Sequence, residues 1–312
     1  MDLKLLSTIT ETHPDRVYAC LEHPKYEVFQ IPKKSGGKRT IHVPEQKLKN
    51  LQKLTNVYLN KLYNSHSNPA AFGFIKKTKY ATPRDIVKNA SMHIGKRYVW
   101  NIDLEDFFHS LNTFDVWNAL LQFGISNDEA LPIALLCCIE KKLPMGAPTS
   151  PVISNMACTD MDWKLKWYCD EKWITYTRYA DDLTFSSNIK ISDETRQEIM
   201  SIVSDFGFRI NPSKERMQSQ FGAQWVTGIK VNEKPNVSRI YIRTLRAILH
   251  DVKRNGIKQA AQRYSEKYPC RSADVVTYFI QSVSGKIRYV GFVKGENDSA
   301  YQNLWYNWQQ LL

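Results

Sequence analysis

Short runs of alternating apolar and polar residues are interleaved with stretches in which apolar residues recur every three or four positions. Alternation marks strands and the longer period marks helices. Residues 1–24 predict a short helical lead ending near Pro24. Tyr26-Glu27-Val28-Phe29-Gln30-Ile31 then predicts a strand, Pro32 to Arg39 a turn, and Thr40-Ile41-His42-Val43-Pro44 a returning strand. The result is a β-hairpin with a basic Gly36-Gly37 tip. Leu48, Leu51, Leu54, Tyr58 and Leu62 fall on one face of a helix over 45–64. Tyr98 to Ile102 predicts a strand ending at Asp103, with helices following from about Thr113 to Phe123 and over 128–140. Ser150-Pro151 is a helix start, and Val152, Met156, Trp163 and Trp167 keep helical spacing after it. Ile174 to Arg178 and Leu183 to Ser187 are strand-like, and 192–205 is helical. Gln224 to Val231 and Arg239 to Ile242 predict short strands.

The last segment changes character. From Ser238 to Arg271 there are nine Lys or Arg against two Asp or Glu. Leu245, Ile248, Leu249 and Val252 form an apolar stripe, and Arg243, Arg246, His250 and Arg254 fall on another face. This predicts a helical subdomain with one packed and one cationic side. A merely solvated charged face is the plain alternative.

Composition sharpens the picture. The chain has 312 residues, 43% of them apolar, enough for real cores in one large domain or two to three subdomains. Lys and Arg total 43 against 31 Asp and Glu, for a formal charge of +12. That excess favours a polyanionic partner, nucleic acid first. A membrane partner is disfavoured, because the longest apolar run, Leu131 to Ile139, falls short of the about 20 residues a span requires. The N-terminus lacks a signal-peptide pattern. The six cysteines form no CxxC and no zinc spacing, so they are expected to be reduced thiols, mostly in the core, in a cytoplasmic protein.

The candidate chemistry lies in Tyr179-Ala180-Asp181-Asp182, between two strand-like runs, and in Asp103 at the end of another. Two aspartates at a turn are commonly just a turn. A third carboxylate ending a neighbouring apolar strand makes convergence at one point the stronger reading. Converging carboxylates in a basic protein call for cations, and two Mg²⁺ ions suit them. Nucleotidyl transfer is the leading chemistry.

In order along the chain, Asn101-Ile102-Asp103-Leu104-Glu105-Asp106-Phe107-Phe108, Leu143-Pro144-Met145-Gly146-Ala147-Pro148-Thr149-Ser150-Pro151, Tyr179 to Asp182, and Gly207 to Lys214 resemble motifs A, B, C and D of the reverse transcriptases. The resemblance runs over nearly the whole chain. It implies an α+β right-hand polymerase fold: fingers, a palm of antiparallel sheet with packed helices, and a helical thumb. The corresponding division is 1–97 for an N-terminal extension and fingers, 98–237 for the palm with a fingers segment at about 110–145, and 238–312 for the thumb. It further implies Asp103 and Asp181 as principal ligands of two Mg²⁺ ions (Mn²⁺ as a substitute), with Asp182 in support and the Leu104 carbonyl as a further ligand. Phe108 would be the steric gate against a ribose 2′-hydroxyl, with Phe107 as core if strand alternation holds. Lys214 would protonate pyrophosphate. Lys33, Lys34, Lys38 and Arg39 would grip the triphosphate of a deoxynucleotide. Motif B departs from the family pattern: Met145 stands where a Gln is usual, while Gly146 is kept, so the nucleotide contacts of this position are in doubt.

Asn89-Ala90-Ser91-Met92-His93 and Val226-Thr227-Gly228 resemble the NAxxH and VTG elements of bacterial retron reverse transcriptases. The plain alternatives are a helix cap, a satisfied polar residue and a strand ending at glycine. The retron resemblance implies binding of a cognate structured non-coding RNA, with Asn89, His93, Val226, Thr227, Gly228, Arg243, Arg246 and Arg254 as candidate contacts. It implies priming from a guanosine 2′-hydroxyl and a branched RNA–DNA product, multicopy single-stranded DNA. It also implies antiphage defence with an effector protein from the same locus, and RNA removal by a host RNase H. Tyr301, Trp305, Tyr306 and Trp308 would either stack on unpaired bases or pack the last helix. A group II intron-like reverse transcriptase and a non-catalytic RNA-binding scaffold are the alternatives.

Overall fold

The computed structural model describes residues 2–32, 36–75, 84–269 and 274–312. Lys33, Lys34 and Cys270 lie outside the described residues. In chain order the elements are α1 (Lys4–Thr10), α2 (Pro14–Glu22), β1 (Tyr26–Pro32), β2 (Lys38–Pro44), α3 (Gln46–Asn64), α4 (Ile86–Ser91), β3 (Tyr98–Asp103), α5 (Thr113–Gln122), α6 (Asn127–Cys137), α7 (Ser150–Ala157), α8 (Thr159–Glu171), β4 (Thr175–Tyr179), β5 (Asp182–Ser187) and α9 (Asp193–Asp205). A 3₁₀ turn at Pro212–Lys214 leads to β6 (Arg216–Ser219), β7 (Trp225–Val226) and β8 (Ile229–Lys230). The chain ends in α10 (Arg239–Asn255), α11 (Ile257–Lys267), α12 (Val275–Lys294) and α13 (Ser299–Gln309). Mixed helices and antiparallel pairs make this an α+β fold, as the sequence implies. Among the described residues no helix is long and apolar enough to cross a membrane.

Two compact units divide the chain: Met1–Asn89 with Tyr98–Met217, and Ala90–Arg97 with Gln218–Leu312. The first is built on a four-stranded sheet of order β4-β5-β3-β6. Strand β3 alternates little and is buried nearly throughout, with Val99, Trp100 and Ile102 sealed from solvent. Trp100 packs against Phe185 with ring centroids 5.0 Å apart and donates its ring N–H to Glu215 at 2.9 Å, so this large side chain is buried with its polar group satisfied. Replacing such a ring by Ala costs about 3–5 kcal/mol. Local signals fix the helix starts: at α5, Asn112 and Asp115 form a reciprocal capping box. The β1–β2 hairpin pairs Tyr26 with Pro44 through Pro32 with Lys38, and most of it is exposed.

The second unit packs α10 to α13 around Leu245, Phe279, Val283, Ile287 and Trp308. The stripe expected on α10 is present: Leu245, Leu249 and Val252 are buried, whereas Arg243, Arg246, His250 and Arg254 are exposed.

Three expectations are corrected. Arg239 to Ile242 is not a strand but the first turn of α10. Ser238 caps it by accepting from the Tyr241 N–H at 3.0 Å, and the amphipathic stripe that follows outweighs the local β-branched residues. The helical run from Ser150 is two helices, α7 and α8, and Trp163 and Trp167 on the second are exposed. Gln224 to Val231 is a tight hairpin, not one strand. Of the cysteines, Cys137, Cys138, Cys158 and Cys169 are buried free thiols; burial pushes Cys137 and Cys158 up to about 12, which leaves them inert.

Candidate active site and nucleic-acid surface

The antiparallel register of β3 and β5 sets Asp103 directly opposite Asp182. Cross-strand partners project to the same face of a sheet, so the two carboxylates share one surface. The β4–β5 hairpin closes with Tyr179 opposite Asp182, leaving Ala180-Asp181 as a two-residue turn. Ala180 takes φ +58, a conformation that hairpin turns usually assign to glycine. The Asp181 carbonyl accepts from the Leu104 N–H at 3.0 Å, which ties the turn to the end of β3. The segment after α9 is strapped to the same place. Asn211 N–H donates to the Asp103 carbonyl at 2.8 Å, and Glu105 N–H donates to the Arg209 carbonyl at 2.7 Å. Lys214, at the end of the 3₁₀ turn, sets its ammonium 2.8 Å from both carboxylate oxygens of Asp103.

Electrostatics records the crowding. Burial first, and then the charge of Asp103, raise the Asp181 carboxyl above its ordinary value; Lys214 and Arg39 pull it back. Asp182 is pushed up to about 6 by burial, then by Asp181 and Asp103. Carboxylates that resist ionising together are a signature of a site built for added positive charge. Among the described residues no three His, Cys, Asp or Glu side chains form a complete metal cage. The donor set nevertheless fits Mg²⁺, which keeps waters and takes one or two carboxylates plus substrate phosphates.

Of the nucleotide-side candidates, Arg39 reaches this point. Arg39 lies near enough to Asp181 to favour its charge, and Lys38 and Arg39 are both exposed. The Met145 carbonyl accepts from the His42 N–H at 2.8 Å, so motif B lies along β2. Gly146 has φ +117, and a Cβ there would fall 2.8 Å from the His42 carbonyl oxygen. Within the chain, then, the glycine serves a close approach to the hairpin strand. Phe107 is buried against Phe208, whereas Phe108 is half-buried and touches Phe107 and Phe74. Strand alternation is not the cause: β3 has ended, and the two rings part in a turn where Asp106 has φ +45.

Sequence reasoning missed the support beneath the turn. Arg178 and Asp162 are fully buried and form a forked ion pair, with Tyr176 and Asn155 joined to it. Burial opposes the Arg178 charge, but Asp162 outweighs it and holds the guanidinium well above its ordinary value. The available signal was a charged residue in the strand-like run just before Tyr179.

All the RNA candidates but Asn89 belong to the second unit. Thr227 and Gly228, at φ +47 and +81, form the two-residue turn between β7 and β8, and Val226 is buried. Residues 95–97 bond to this region through Gly95 N–H to the Val231 carbonyl and the Gln224 side chain to the Lys96 and Arg97 carbonyls. His93 is fully buried, and burial, followed by Lys96, lowers it to about 3, so its imidazole is neutral. Asn89 is also buried, and neither polar atom of its side chain has a partner among the described residues. A cleft of about 1350 Å³ in the second unit is lined by Lys96, Lys230, Lys234, Arg239, Arg243, Arg246 and Lys294, against one acidic residue, Glu233. Arg254 is exposed further along α10. At the C-terminus Trp308 is buried and donates to Ser284, and Tyr301 packs on Gly291 and stacks with Trp305; Tyr306 is exposed.

Carboxylates paired across a β-hairpin and its neighbour, with a lysine and an arginine in attendance, are compatible with nucleotidyl transfer. Residues 31–292 match the family "Reverse transcriptase (RNA-dependent DNA polymerase)", and the chain belongs to that family. Its relatives include retron enzymes. It is 34% identical to the retron Ec86 reverse transcriptase of Escherichia coli over 73% of this chain and 70% of that protein. It is 34% identical to the retron Mx65 reverse transcriptase of Myxococcus xanthus over 74% of this chain, but spans only 56% of that longer protein. Among solved structures, a telomerase from Candida albicans in complex with a fragment of telomeric RNA aligns with a TM-score of 0.52 over 94% of this chain and 64% of that one. At 11% identity that likeness concerns the fold alone.

Proposed function

We propose that this chain is a retron reverse transcriptase that copies its cognate structured non-coding RNA into DNA, starting from a guanosine 2′-hydroxyl and yielding branched multicopy single-stranded DNA. The observation that carries the catalytic reading is the register of Asp103 opposite Asp182, with Asp181 in the adjoining turn. The retron names of the relatives support the choice of RNA and product.

Asp103 and Asp181 would hold two Mg²⁺ ions, with Asp182 and the Leu104 carbonyl in support. When bound, such ions supply the positive charge that lowers the pKa of an attacking hydroxyl and steadies the leaving pyrophosphate. The chain's own groups do the rest. Arg39 and Lys38 grip the triphosphate, to which the guanidinium is suited by its fork. Phe108 occupies the space of a ribose 2′-hydroxyl and selects deoxynucleotides. Lys214 gives a proton to the leaving pyrophosphate, moving off Asp103 to do so. The cations of the cleft in the second unit track RNA phosphates, and the Thr227-Gly228 turn joins the two short strands of the same unit. His93, buried and neutral, contributes by shaping its segment rather than as a cation. The chain's setting would be the bacterial cytoplasm, in antiphage defence with an effector from its locus and with host RNase H removing RNA.

Expression together with about a kilobase of flanking DNA tests this. A short abundant DNA that shifts on RNase treatment is expected on a denaturing gel; its absence, with primer extension intact, would point to another reverse transcriptase class.

A further inference from the structure

Beneath the catalytic turn lies an ion pair whose presence stability alone does not account for. Arg178 and Asp162 are both 0% exposed. Buried pairs of this kind are often no more stabilising than apolar residues of the same volume. Arg178 uses two of its three nitrogens on Asp162: Nε to Oδ1 at 2.8 Å and Nη2 to Oδ2 at 2.7 Å. Tyr176 donates its hydroxyl to Oδ1 at 2.8 Å, completing that carboxylate. The third nitrogen, Nη1, turns to the turn itself. It donates to the Ala180 carbonyl and to Asn155 Oδ1, each at 3.1 Å.

Asn155 extends the brace. Its Nδ2 donates to the Gly73 carbonyl at 2.8 Å. Gly73 is pressed against the other side of the same residue: a Cβ there would sit 2.5 Å from the Ala180 nitrogen. The backbone of 70–72 runs beside β4, with Arg178 N–H donating to the Ala70 carbonyl and Phe72 N–H to the Arg178 carbonyl, both at 2.8 Å. Ala180 is therefore gripped at its carbonyl by Arg178 and walled at its nitrogen by Gly73. It is also the residue at φ +58, a conformation a non-glycine side chain holds only when its surroundings enforce it. Asp181 is the next residue, so its direction follows from the Ala180 peptide.

We propose that Arg178, Asp162, Asn155 and Gly73 are positioning residues that hold the Ala180 peptide and thereby aim the Asp181 carboxylate at the cation site. The proposal rests on the reading of Asp181 as a metal ligand. Groups that orient metal ligands typically change metal affinity about 10–100-fold when removed. A pair that served only the fold would shift melting temperature and leave the affinity of the folded protein alone.

The test measures Mn²⁺ binding directly, by electron paramagnetic resonance of free Mn²⁺, on the full chain without nucleotide. Wild type is compared with Asn155→Ala, Gly73→Ala and Asp181→Asn, each shown folded by circular dichroism below its Tm. Asn155→Ala keeps the ion pair and removes the brace; Gly73→Ala pushes on Ala180 while keeping the Arg178, Asp162 and Asn155 side chains, so either variant alone decides the question if the other fails to fold. The expected result is Mn²⁺ affinity roughly tenfold weaker in both, with the Mn²⁺ concentration for half-maximal primer extension rising by the same factor. Wild-type affinity in the folded variants, with affinity lost in Asp181→Asn, would overturn the positioning role and leave the metal site standing. Wild-type affinity in Asp181→Asn would overturn both.

Discussion

Lys214 holds its ammonium 2.8 Å from each carboxylate oxygen of Asp103, so a lysine from motif D supplies the first positive charge to a site of three aspartates. The strap of backbone hydrogen bonds from Arg209 and Asn211 to the end of β3 keeps it there. Two consequences separate its roles. As a proton donor, Lys214→Ala should lower kcat by about 100-fold, the low end of general acid–base contributions. As a competing cation, its loss should leave Mn²⁺ binding no weaker than wild type. Single-turnover primer extension and direct Mn²⁺ titration on the same variant check both; weakened Mn²⁺ binding would contradict the competition.

The Asp182 carboxyl, pushed up from 3.8 to about 6, makes a signed prediction for the metal-free protein. The folded state keeps a proton that the unfolded chain releases near pH 3.8. Stability from this group therefore falls as pH rises from about 4 to about 6, and is level above that. Asp182→Asn removes the penalty. In EDTA its Tm should exceed that of wild type at pH 7.5, and the excess should shrink as pH drops from 6 towards 4. Thermal melts across that range check it.

Phe108 touches Phe107 on one side and Phe74 on the other, which restricts the positions its ring can take. Phe108→Ala should raise the use of ribonucleotides relative to deoxynucleotides by roughly 10–100-fold, the scale of discrimination available from shape alone. Competing incorporation of the two sugars opposite the same template base measures it.

How much of this was legible in the sequence depends on distance along the chain. The convergence of Asp103 with Asp182 was legible because apolar runs flank both motifs and strand pairing carries them to one sheet end. The α10 stripe was legible because helical periodicity is local. The first turn of α10 was not, since Ile240 and Ile242 favour a strand until the Ser238 cap is taken into account. The Arg178–Asp162 pair was illegible for another reason. Its partners sit on β4 and α8, and no periodic pattern tells which buried charge meets which. The division between Phe107 and Phe108 was anticipated, but through alternation in a strand that stops at Asp103; a turn makes it. Nor did any local signal tell that 90–97 would join the C-terminal unit.

The cationic cleft should behave as a phosphate surface. Arg243 and Arg246 both line it and are exposed on α10. Replacing both with Ala should weaken binding of the cognate RNA and reduce the slope of log affinity against log salt by roughly 2. Filter binding from low to moderate salt checks it. An unchanged slope would move the RNA surface elsewhere.

The most direct measurement is primer extension on an RNA template by the purified chain, with Mg²⁺ and deoxynucleotides, comparing wild type with Asp181→Asn/Asp182→Asn and following RNA affinity alongside. Wild type should make DNA. The double variant should make at least about 1000-fold less, the scale lost with the electrostatic core of an active site, while binding RNA nearly as well. DNA synthesis retained by the double variant would contradict the assignment of the Asp103, Asp181 and Asp182 cluster as the catalytic centre.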